Sequence, residues 1–81
     1  MAVILSKHLA AGLSGKRVIM AYIEAAIANP DWTRPDPNWP GVTRSFKAIP
    51  AFGGRVLRVA HRPSGVDIFV ITAHWDRRAK P

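Results

Sequence analysis

The chain reads as an α+β domain, with N-terminal helices packed on one face of a small twisted antiparallel sheet. Three observations predict this. From Lys16 to Ala28 the apolar residues Ile19, Tyr22, Ile23, Ala26 and Ile27 recur at helical spacing. Near the C-terminus, two runs rich in β-branched and aromatic residues flank Pro63-Ser64-Gly65, the pattern of paired strands about a turn. Hydrophobic residues make up 48% of the 81 positions, which suits one core and argues against a disordered chain.

The elements follow in order. Ala2 to Leu5 suits a short edge strand or the lead-in to a helix. Ser6 to Ala11 suits a short helical segment ended by Gly12, and Ser14 reads as the N-cap of the main helix. Asn29-Pro30 stops that helix. Residues 29–41 hold four prolines with Trp32 and Trp39 between them, so an extended loop is expected, pinned by the tryptophans. Arg44 to Ile49 reads as a strand, Pro50 to Gly54 as a turn, and Asp76 to Pro81 as a basic tail. A single domain therefore spans residues 1–81.

Placing the last turn at Arg62 to Val66 sets His61 opposite Asp67 and Val59 opposite Phe69. Side chains alternate along a strand. Leu57, Val59, Phe69, Ile71 and Trp75 then share the face expected to meet the helix. Arg58, Thr72, His74 and Asp76 share the other, with Val56, Ala60, Ile68 and Val70. Arg44 on the preceding strand can reach this second face.

Composition limits function. Twelve Lys and Arg against five Asp and Glu give a net charge of +7. Nine of the basic residues spread from Lys7 to Arg62 rather than crowding the tail. Such a balance favours a polyanionic partner, RNA above all or an acidic protein. The absence of cysteine removes disulfides and thiolate metal sites and fits a reducing cytoplasm. Met1 to Leu5 lacks the form of a secretory signal, and no apolar run approaches a membrane span. A cytoplasmic protein that does not enter the membrane is expected.

Candidate site residues come from the chemistry of phosphate. Scission of RNA through its 2′-hydroxyl needs a base, an acid and fixed cations. His8, His61 and His74 are the histidines. His74 shares a face with Arg58, while His61 lies beside the turn and suits pairing with Asp67. Lys16 and Arg17, after Ser14-Gly15 at the start of the main helix, could seat a phosphate on free backbone N–H groups. Gly12 to Arg17 does not have P-loop spacing. The three tryptophans suit core anchoring or base stacking. His74 and Asp76 lack a second spaced pair of ligands, so no metal and no cofactor is expected.

Several stretches, taken in order, resemble a family of small bacterial domains related to the BrnT and RelE/ParE-type toxins. They are Ser6-Lys7-His8, Ile23 through Pro30-Asp31, Arg44-Ser45-Phe46-Lys47, Gly54 to Val59, and Val70 to Arg77. The resemblance implies helices on a twisted antiparallel sheet whose open face cleaves RNA in the toxin members, and an antitoxin partner over the basic surface. By position, His8 matches a histidine near the start of that family and Arg58 the arginine of its central strand. His74 falls at a variable polar position of the last strand.

The expectation is a metal-independent ribonuclease toxin. His8 or His74 serves as acid or base beside Arg58, and Arg44, Lys16, Arg17, Arg55, Arg77 and Arg78 contact the nucleic acid. The alternatives are a non-catalytic module binding nucleic acid or an acidic protein, and a structural homodimer.

Overall fold

The structure is a computed structural model and describes residues 2–7, 9–10 and 20–81. Five strands dominate: β1 (Val3–Leu5), β2 (Trp32–Pro35), β3 (Thr43–Ile49), β4 (Arg55–Ser64) and β5 (Asp67–Trp75). They form one sheet in the order β1-β5-β4-β3-β2. The helix α1 spans Met20–Ala28.

This corrects the expected architecture of N-terminal helices on a small antiparallel sheet. The fold is mostly sheet, and the sheet is mixed. β1 runs parallel to β5, with Ile4 opposite Phe69, while the other neighbours are antiparallel. Three residues make β1 a strand only because β5 supplies the facing ladder; local propensity alone does not fix so short a segment. The Pro-rich stretch is also partly strand. Trp32 to Pro35 pairs with Phe46 to Thr43 at the sheet edge, where a proline is tolerated because its outward side needs no donor.

A helical turn at Lys7, Leu9 and Ala10 precedes α1. Ser6 starts it: its Oγ accepts a hydrogen bond from Leu9 N at 3.1 Å, as an N-cap does. The expected cap at Ser14 lies outside the described residues. Pro30 ends α1 one residue after Asn29 N donates to Ala25 O.

α1 buries Ile23 and Ala26 against the sheet. The core is Leu9, Ile23, Ala26, Ile49, Leu57, Val59, Val70 and Ala73, with Tyr22, Ile27 and Trp75 packed at its margin. Phe52, in the 3₁₀ turn Pro50–Phe52, stacks on Trp75 with centroids 4.4 Å apart.

The hairpin differs from its expected register. A two-residue turn, Gly65-Val66, sets Ser64 opposite Asp67. Gly65 has φ +63°, which a primed hairpin turn requires and which glycine adopts without a Cβ clash. Near the turn His61 faces Val70, but beyond it Ala60 faces Thr72. Ile71 is therefore the extra residue of a β-bulge. The bulge reverses the alternation. Ala73 and Trp75 join Leu57 and Val59 on the helix face, as do Val70 and Ile68, which were expected outside. Phe69 and Ile71, expected in the core, lie on the opposite face. Ser6 secures the bulge: its N donates to Val70 O at 2.9 Å and its Oγ to Ile71 O at 3.0 Å.

Among the described residues, no helix is long and apolar enough to cross a membrane.

Candidate functional site: a groove on the open sheet face

The face opposite the helix carries two rows of side chains across the strands. Register places Arg34, Arg44, Ala60 and Thr72 in one row, and Trp32, Phe46, Arg58 and His74 in the next. Trp32 and Phe46 stack nearly parallel, with centroids 5.0 Å apart, and cover the sheet at its β2 edge. Toward β5 the face opens into a groove of about 220 Å³, floored by Arg44, Arg58, Ile71, Thr72 and His74.

The groove's outer wall is the loop after β2, and Asp36 shapes it. Its Oδ1 accepts hydrogen bonds from Asn38 N at 2.9 Å and Trp39 N at 3.1 Å. This is the local turn an aspartate makes, and Pro37 favours it by fixing φ at the next position. The backbone N of Asp36 donates to Val42 O and closes the loop. Trp39 is thereby held 68% exposed at the rim of the groove.

Both arginines of the groove are oriented by carboxylates. Arg44 Nε donates to Asp36 Oδ2 at 3.2 Å, and Arg58 Nη1 donates to Asp76 Oδ2 at 3.3 Å. Each guanidinium has five N–H donors, so neither is used up by its partner. Both pairs are part-buried, and the donors left over on each guanidinium can bond an incoming phosphate oxygen. The Asn38 N–H, with the Arg44 guanidinium and the Trp39 N–H, holds the Asp36 carboxyl below its usual range, against the opposing pull of burial. Asp36 is thus a poor acceptor for a substrate proton. Its role here is to position Arg44 and the loop.

The anticipated site residues distribute as follows. Arg58, Arg44 and His74 come together in the groove, with His74 directly opposite Arg58. Arg55 and Arg77 are exposed around a second cavity, at the sheet end where β4 begins and β5 finishes. Arg78 is exposed beside it, its backbone N donating to Asp76 Oδ1 at 3.0 Å. His8, Lys16 and Arg17 lie outside the described residues. His61 does not pair with Asp67, which accepts from Ala2 N. It sits on the helix face with its Nε2 2.7 Å from the Oγ of buried Ser45, and burial lowers its pKa.

Asp36 and Asn38 were missed as site residues, and Trp39 was expected only as one of three tryptophans suited to core anchoring or base stacking. The signal was present in Asp36-Pro37-Asn38, an aspartate followed by a turn-favouring proline. Among the described residues, no three of His, Asp and Glu gather as a metal ion would need.

Compared with family models, curated proteins and solved structures, the chain matches none.

Proposed function

We propose that the protein is a binding module for single-stranded RNA, which it grips through the open sheet face without cutting it. One observation carries this reading: Arg44 and Arg58, each oriented by its own aspartate, floor a groove whose rim presents the exposed indole of Trp39. Guanidiniums take phosphate oxygens, and an aromatic face takes an unpaired base. These are the two contacts that hold single strands without sequence preference. The net charge of +7 adds attraction at long range.

Scission would need two groups to move protons, one at the 2′-hydroxyl and one at the leaving 5′ oxygen. Among the described residues, His74 is the one imidazole in the groove; His61 is on the opposite face. Asp36, with its depressed pKa, is a weak base. The groove therefore favours binding over the ribonuclease activity implied by the resemblance to toxins.

The test is fluorescence anisotropy with a labelled single-stranded RNA of mixed sequence, the same samples being run on a denaturing gel. Binding at low salt that weakens as salt rises is expected, with intact RNA. Trp39→Ala should weaken it by about tenfold, the order of one lost base stack. No binding at low salt, or unchanged binding in Arg44→Ala/Arg58→Ala, sinks the proposal. RNA fragments that disappear in His74→Ala would make the protein a nuclease instead.

A further inference from the structure

We propose that the cavity at the end of the sheet binds a phosphate monoester, and that it holds the phosphorylated end of the strand lying in the groove. The cavity has a volume of about 320 Å³ and is lined by Gly53, Gly54, Arg55, Trp75, Asp76 and Arg77, among others. This inference rests on the groove reading and extends it to strand ends.

Positive charge is balanced differently in the two spaces. In the groove, both arginines have carboxylate partners. In the end cavity, neither Arg55 nor Arg77 has one among the described residues. Asp76 also lines this cavity, but both of its oxygens are engaged, Oδ2 by Arg58 Nη1 and Oδ1 by Arg78 N. Arg55 and Arg77 thus line a small concave space together with Asp76, whose carboxylate is already bonded to Arg58 and to the Arg78 backbone.

The second observation is the floor. Gly53 and Gly54 have φ of +69° and +74°, and a Cβ at either would meet nothing within 4 Å. The glycines thus leave open space where a ligand can approach the backbone. Arg55 is steadied by its guanidinium lying over the Phe52 ring, 5.4 Å from the centroid. Phe52 in turn stacks on Trp75. The Arg55 guanidinium therefore has a defined resting place at the edge of the cavity.

The third observation is adjacency. Arg58 lines the groove, Asp76 lines the end cavity, and the two are joined by their ion pair. The two spaces therefore adjoin at that pair, and a strand along the groove can bring its end to the cavity. An internal phosphodiester carries one negative charge. A monoester carries about −1.5 to −2 at pH 7, which matches two unpaired guanidiniums better.

The experiment is calorimetry on the intact protein with four probes. These are inorganic phosphate and three otherwise identical RNA strands, ending in a 5′-phosphate, a 3′-phosphate or hydroxyls at both ends. The expected result is that one phosphorylated strand binds about tenfold tighter than the hydroxyl strand, as charge-assisted hydrogen bonds would give. In Arg55→Gln/Arg77→Gln that ratio should fall to about one. Both residues are exposed, so the variant should fold, and a thermal melt verifies this. Equal affinity for the three strands overturns the inference while leaving the groove reading standing. A phosphate preference that survives in the double variant also overturns it. If inorganic phosphate binds in an Arg55- and Arg77-dependent way while no strand binds, the phosphate site stands, but its role in holding strand ends is overturned together with the groove reading.

Discussion

Ser45 Oγ and His61 Nε2 lie 2.7 Å apart on the helix-facing side of the sheet, on adjacent strands β3 and β4. Ser45 is 1% exposed and His61 is half-buried. The hydroxyl can rotate to donate or accept, so the contact itself tolerates either charge state of the ring. Burial does not, and it pushes the His61 pKa below its ordinary value.

Stability should therefore depend on pH through His61. Below about pH 6.5 the unfolded chain takes up a proton that the folded protein resists. The unfolded state then binds more protons, so stability is complete above that pH and declines as pH falls below it. Thermal melts from about pH 7.5 to about pH 5 should show Tm falling in wild type and a flatter profile in His61→Gln. Parallel profiles would remove His61 as the cause.

Ser6→Ala removes two contacts at once, the cap on Leu9 N and the donor to Ile71 O. A loss of about 1–2 kcal/mol is expected in urea denaturation. A change below the error of the measurement would mean that the backbone bond from Ser6 N to Val70 O is sufficient to hold the bulge.

Ile23 is fully buried between α1 and the sheet. Ile23→Ala should cost about 2–5 kcal/mol, a large share of what so small a domain has. Loss of the cooperative urea transition, or a midpoint shifted strongly downward, is the expected reading.

Gly65→Ala should destabilise by about 1–2 kcal/mol, because φ +63° crowds a Cβ against the following carbonyl. Its neighbour Val66 is 84% exposed, and Val66→Ala serves as the near-neutral comparison.

If Arg44 and Arg58 contact phosphates, each removal should lower the slope of log affinity against log salt by about 1. A salt titration of RNA binding in wild type and the two single variants measures this. An unchanged slope in Arg58→Ala would place the phosphate elsewhere than the groove.

Much of β4 was legible in the sequence because its residues alternate cleanly. Leu57 and Val59 separate from Arg58 by the pleat alone. β5 was not, because Ile68-Phe69-Val70-Ile71 is unbroken apolar sequence. Such a run carries no period and cannot reveal an inserted residue. β1 and β2 were obscured for other reasons. β1 takes its order from β5, 65 positions away, and β2 is framed by prolines that suggest a loop. In the groove, the arginines and His74 follow from strand alternation. Asp36 does not, since its partnership with Arg44 exists only once the loop folds back over β3.

The bulge at Ile71 also makes the length of β5 adjustable. Removing Ile71 would leave Val70 beside Thr72, and the alternation would then run unbroken from Ile68 to Trp75. Every other side chain of the strand would keep its present face. The chain thus carries a spare residue at the floor of its groove. A shorter relative lacking it would keep the same core and the same arginines, with a flatter and less twisted floor. Groove curvature could therefore evolve by the gain or loss of one residue, without redesign of the fold.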